Sequence, residues 1–132
     1  MRPEHPRHAF VEQATEQQGE LPPQSVPVNM YEAGDAIVIV APLPAVAPDD
    51  VTITVDGASV VIEAALRSAA PKDYLLHEWR YGGYRREVSL PAGYGGAGEA
   101  SLANGQLAVR ILRDDSAGSG SSGPVVIRPV AP

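Results

Sequence analysis

The stretch that decides the fold is Glu99-Ala-Ser-Leu-Ala-Asn-Gly-Gln-Leu-Ala-Val-Arg-Ile-Leu112. Asn104-Gly105 lies near its centre. Both residues tolerate positive φ, which a two-residue type I′ hairpin turn requires. Leu107, Val109 and Ile111 follow in strict alternation, so three apolar side chains share one strand face. The pattern predicts a β-hairpin over residues 100–111. A Ser/Gly spacer follows at residues 116–123, and apolar character returns at Val125-Val126-Ile127. A strand pair, a tether and a short sticky segment point to a self-associating binding protein rather than an enzyme.

Strand signals fill the chain upstream. Val26, Val28 and Met30 alternate, with Pro27 marking an edge position. Gly34-Asp35 turns the chain into Ala36-Ile-Val-Ile-Val-Ala41, a near-continuous β-branched run expected to be a buried strand. Pro42 and Pro44 end it. Val51, Ile53 and Val55 alternate with threonines, Asp56-Gly57 reads as a turn, and residues 59–66 supply the partner strand. Residues 67–82 break the rhythm, with the short apolar run Tyr74-Leu75-Leu76 flanked by charges. Strand character resumes over residues 84–90 and stops at Pro91. Residues 92–98 read as a glycine-rich, flexible connection. About eight short strands separated by turns, with no ordinary helix after residue 25, predict an all-β chain. Its expected form is an antiparallel, immunoglobulin-like β-sandwich.

Three segments follow from this pass. Residues 1–25 form an irregular arm, rich in Glu and Gln and punctuated by Pro3, Pro6, Pro22 and Pro23. A helix over 9–18 would present only Phe10, Val11 and Ala14, too small a face to hold it alone. Residues 26–113 form the sandwich domain, and residues 114–132 a flexible extension. The N-terminus lacks the apolar core of a signal peptide. The longest apolar run, residues 36–48, is too short and too broken by proline to span a bilayer.

Composition narrows the function classes. The 132 residues include 13 glycines and 13 prolines, just short of the level that signals wholesale disorder. Hydrophobic residues are 44% of the chain, enough for one modest core. With one Trp, one Phe and five Tyr, that core must be mostly aliphatic. The net charge of −6 is spread along the chain and leaves no basic face, so neither nucleic acid nor a membrane is an expected partner. The absence of cysteine excludes disulfides, thiol catalysis and cysteine-based zinc sites, and fits a cytoplasmic location.

No catalytic, metal or cofactor site is expected. His77 and Glu78 are adjacent, so on a strand they face opposite ways and do not converge. His5 and His8 lie in the irregular arm, and three dispersed histidines give no zinc spacing. Residues 93–98 lack the Lys-Ser/Thr of a phosphate loop. Asp49-Asp50 mark a turn entering a strand.

In their order, several short motifs resemble the small heat-shock protein family, built on the α-crystallin domain. Val28-Asn-Met-Tyr-Glu-Ala-Gly-Asp35 resembles its opening strand and turn. Ala41-Pro-Leu-Pro-Ala-Val46 with Asp49-Asp50-Val51 resembles its Leu-Pro-Gly-Val and acidic-acidic-Val segment. Glu78-Trp-Arg-Tyr-Gly82, Tyr84-Arg85-Arg86 and Leu90-Pro91 resemble its Glu, Gly, Phe-x-Arg and Leu-Pro pattern. Ala100-Ser-Leu-Ala-Asn-Gly-Gln-Leu107 resembles its Ala-x-x-x-Asn-Gly-x-Leu signature. Ala45 stands where the family usually has glycine, and Val125 where its tail motif usually has isoleucine.

The resemblance implies an ATP-independent holdase chaperone that binds unfolding client proteins, forms homodimers and builds higher oligomers without a cofactor. It implies a swapped strand at Tyr74, Leu75 and Leu76, pairing with Val28 and Met30 of a second copy. It places Arg86 in the strand before Leu-Pro, where a carboxylate partner is expected. It makes Val125 and Ile127 a V-x-I docking motif for a groove between two edge strands of a neighbouring domain, lined by Val51, Ile53, Val55, Ala100 and Leu102. Burying that Val and Ile gains roughly 3–6 kcal/mol gross. Ordering the tether offsets much of this, so each tail binds weakly and many bind well together. The spacer from residue 114 to 123 spans roughly 17–19 Å as a coil, enough to reach an adjacent subunit. Phe10, Val11 and Leu21 supply apolar contacts for clients. A frayed end or an edge strand of the same chain is the alternative for residues 125–127. An oligomeric adaptor module on the same fold, holding few clients, is the alternative function.

Overall fold

The structure is a computed structural model and describes residues 23–65, 72–79, 82–114 and 124–131. Eight strands are described: β1 (Asn29–Ala33), β2 (Ala36–Pro42), β3 (Val51–Asp56), β4 (Ser59–Ala64), β5 (Tyr84–Ser89), β6 (Tyr94–Ala103), β7 (Gln106–Arg113) and β8 (Val125–Ile127). They form two antiparallel four-stranded sheets, ordered β1-β2-β7-β6 and β5-β4-β3-β8. The one helical turn among the described residues is a 3₁₀ turn at Pro48–Asp50. There the Asp50 carboxylate accepts the Ala47 amide at 3.2 Å, closing the turn before β3. The all-β sandwich predicted from alternation is the observed fold.

Register explains the core. Ile37, Ile39 and Ala41 of β2 lie opposite Ile111, Val109 and Leu107 of β7. Val51, Ile53 and Val55 of β3 lie opposite Ala64, Ile62 and Val60 of β4. These twelve side chains are buried, and the two inner faces pack against each other as an aliphatic layer. Among the described residues no charged or polar residue is fully buried. The hydroxyls of the two core tyrosines are paired: Tyr84 donates to the Pro44 carbonyl at 3.4 Å and Tyr94 to the Glu32 carboxylate at 3.2 Å.

The turns follow local chemistry. Asn104 at φ 54° and Gly105 at φ 77° form the predicted hairpin turn between β6 and β7. The β3–β4 turn has Gly57 and Ala58 as its central residues, one position later than the Asp56-Gly57 reading, because Asp56 pairs with Ser59. Ala45 takes φ 67°, a left-handed conformation, at the position where glycine was expected.

Residues 92–98 differ from the flexible connection predicted. They enter β6 at Tyr94, with a register shift between Tyr94 and Gly98 against β7. Gly95, at φ 124°, supplies the local kink that a bulge needs. Gly98 serves close packing: a Cβ there would stand 2.6 Å from the Arg110 carbonyl oxygen. Glycine frequency alone does not distinguish these uses from flexibility.

Candidate functional site

Two margins of the sandwich carry the residues singled out by sequence. The first is β1, the end strand of its sheet, which pairs with β2 and has no described strand on its outer side. Val28 and Met30 are half-buried and pack against the core, while Tyr31 is 53% exposed. The chain reaches β1 by a strap. Gln24 bridges Tyr84 on β5, donating its amide to the Gly83 carbonyl at 3.0 Å and accepting from Arg85 at 2.9 Å. Val26 then turns inward and is buried.

Arg86 holds this strap. It lies opposite Ile62, on the inward-facing register of β5. Its guanidinium Nη1 donates to the Val26 carbonyl oxygen at 2.8 Å. In the single chain this backbone carbonyl is the partner the structure gives Arg86. Sequence spacing could not show this, because Val26 and Arg86 are 60 residues apart.

Tyr74, Leu75 and Leu76 are not a strand in the single chain. Tyr74 stacks on His77, with ring centroids 4.3 Å apart. Leu75 and Leu76 are 88% and 74% exposed, and Trp79 is 49% exposed. Exposure of two adjacent leucines to this degree is unusual for a side chain whose transfer from water gains about 1.5–3 kcal/mol. Phe10, Val11 and Leu21 lie outside the described residues.

The second margin lies between β3 and β6, and it is filled. Val125 and Ile127 lie opposite Val55 and Ile53 of the same chain, antiparallel, with Val126 opposite Thr54. Their side chains alternate as strand geometry requires: Ile127 is buried, Val125 half-buried and Val126 exposed. Ala100 and Leu102 of β6 bond the tail further on, through the backbone of Val130. The structure thus brings Val51, Ile53, Val55, Ala100, Leu102, Val125 and Ile127 to one margin. The segment seated there is the chain's own. Among the described residues the chain's own tail covers this margin, and no strand pairs with the outer side of β1.

Among the described residues no group of three or more His, Asp or Glu could hold a metal ion. Ion pairs such as Arg110–Asp35 at 3.5 Å and Arg85–Glu63 at 3.8 Å are solvent-exposed and worth little. Among the described residues no helix is long and apolar enough to cross a membrane.

Comparison with known proteins agrees with this architecture. Residues 29–124 match the Hsp20/alpha crystallin family. Solved structures with the same fold include hspA from Xanthomonas axonopodis, at TM-score 0.63 and 23% identity over 71% of this chain and 98% of that one. A small heat-shock protein from Xylella fastidiosa, described as having a distinct high order structure, matches at TM-score 0.58 and 24% identity over 67% and 85%. Heat shock protein 16.0 from Schizosaccharomyces pombe matches at TM-score 0.56 and 24% identity over 67% and 86%. Among curated proteins, none matches the chain. A two-sheet sandwich of this strand order, matched over most of its length, places the chain in the Hsp20/alpha-crystallin family of small heat-shock proteins.

Proposed function

We propose that this chain is an ATP-independent holdase that binds apolar segments of unfolding proteins in the cytoplasm and delays their aggregation. The observation that carries the reading is where the large exposed apolar side chains fall. Among the described residues these are Tyr31, Leu75, Leu76, Trp79, Val126 and Val130. Two belong to the tail. The other four belong to β1, whose outer side has no described strand, and to the 72–79 segment, which forms no strand among the described residues.

A sheet edge with no described strand beside it and the exposed Leu75-Leu76 pair answer each other. Strand addition supplies main-chain hydrogen bonds, and alternate side chains supply apolar contact. In a two-fold dimer the exchange is reciprocal, so each gain occurs twice. That repetition matters, because association costs about 4–15 kcal/mol before any surplus appears. The proposed dimer pairs Tyr74, Leu75 and Leu76 of one copy with Val28 and Met30 of the other, with Arg86 fixing the strap that presents them. Further assembly would use Val125 and Ile127 in the groove lined by Val51, Ile53, Val55, Ala100 and Leu102. Phe10, Val11 and Leu21 would join these ledges in contacting clients. No cofactor enters the mechanism. Light scattering of a heat-labile enzyme, incubated with an equimolar amount of this protein and no nucleotide, tests the reading. Suppressed aggregation is expected, and an unchanged scattering curve would contradict it.

A further inference from the structure

The tail does not end at its apolar motif. After Ile127 the chain passes exposed Arg128 and buried Pro129, and then bonds β6. The Val130 amide donates to the Ala100 carbonyl at 3.0 Å, and the Val130 carbonyl accepts the Leu102 amide at 3.1 Å. β3 belongs to one sheet and β6 to the other. The tail therefore runs antiparallel to β3 for three residues, crosses between the sheets, and forms a parallel bridge with Ser101. Pro129 suits the crossing, since it carries no N–H to leave unmet. The Val130 side chain is 63% exposed, so its hold is through the main chain.

From this geometry we infer that Val130 is the tail's second docking residue, and that residues 125–130 clamp both sheets of their own chain. The clamp has two short anchors on one connected segment. Once Ile127 is seated, Val130 is confined near β6, and its bonds form at high effective concentration. A tail from another copy, or a client strand, then reaches the groove only by displacing the resident one. This consequence rests on the tail-docking reading above; the clamp itself is a property of the single chain.

The chain has no cysteine, so an engineered pair reports without background. Ser101→Cys with Val130→Cys places two thiols across the parallel bridge. Mild oxidation of the full chain, followed by non-reducing electrophoresis and intact-mass measurement, is expected to give a cross-linked single chain. Cross-linked pairs of chains would overturn the intrachain arrangement, and no cross-link at all would overturn the contact. Ser101→Cys with Val126→Cys is the control and should not form the single-chain product; equal yield from it would also overturn the clamp. Hydrogen exchange at Leu102 gives an independent reading. Val130→Pro removes the donor to Ala100 and should speed Leu102 exchange about tenfold or more, whereas Val130→Ala should not. Equal Leu102 exchange in Val130→Pro and the unaltered chain would overturn the main-chain hold. Truncation after Gly123 separates the two readings: unchanged particle mass defeats the tail's role in assembly and leaves the cross-link result standing.

Discussion

Gly98 of β6 lies against Ile127 of the tail, so closely that a Cβ on Gly98 would stand 2.9 Å from the Ile127 Cδ1. The missing side chain is the socket that admits the isoleucine. Gly98→Ala should loosen residues 125–127, read as faster amide exchange across β8. Because the same Cβ meets the Arg110 carbonyl oxygen at 2.6 Å, β6 itself would also be strained. Ile127→Val added to Gly98→Ala removes the Cδ1 and should recover part of the tail's protection. Unaltered exchange in Gly98→Ala alone would show that no socket exists.

Ala45 sits at φ 67°, where a Cβ crowds the following carbonyl oxygen at a cost of about 1–2 kcal/mol. Glycine relieves that strain and gives back about 0.4–1 kcal/mol through the freer unfolded chain. Ala45→Gly should therefore stabilise the domain by about 0.5–1 kcal/mol. Urea denaturation at constant m-value measures it, and a lower midpoint for the variant would refute the strain.

Arg86 donates a charge-assisted hydrogen bond to the carbonyl of buried Val26. Removing one such donor costs about 1.5–3 kcal/mol when the acceptor stays dry. Arg86 is only half-buried, and water can reach the site, so the lower half of that range applies. Arg86→Ala should lower stability by about 1.5–2 kcal/mol and increase amide exchange at Arg85, whose own bond reaches Gln24 on the same strap. Unchanged exchange at Arg85 would separate Arg86 from the strap.

Leu75 and Leu76 contribute little to the single chain's core, because both remain solvent-exposed. Leu75→Ser with Leu76→Ser should shift the unfolding midpoint of the dissociated chain hardly at all, within about 0.5 kcal/mol. The same double variant should weaken self-association sharply, seen as a rise in the dissociation concentration by sedimentation. A strong loss of single-chain stability with intact association would reverse the assignment.

Much of the fold was legible from alternation. Val51-Thr-Ile-Thr-Val55 and Leu107-Ala-Val-Arg-Ile111 each bury every second residue, and Asn104-Gly105 fixes the hairpin between β6 and β7. Periodicity reports which face is buried, and the inner layer follows from it. It does not report the use of a glycine. Gly95 and Gly98 read as looseness, yet one kinks a strand and the other makes room for a neighbour. Nor does it report contacts between distant residues, which is why the bond from Arg86 to Val26 was out of reach. The V-x-I spacing made residues 125–127 legible as a strand-like segment. It carried no information on whose groove they occupy, since the groove of every copy is the same. Val130 gave no signal, because its hold is made by backbone groups that any residue except proline supplies.

The proposed dimer pairs β1 of one copy with the 72–79 segment of another. Multi-angle light scattering of the purified full chain tests this directly. A mass of at least twice the 13.8 kDa of one chain, falling toward 13.8 kDa in the Leu75→Ser, Leu76→Ser variant, is expected. A full chain that remains at 13.8 kDa at working concentration would contradict the claim.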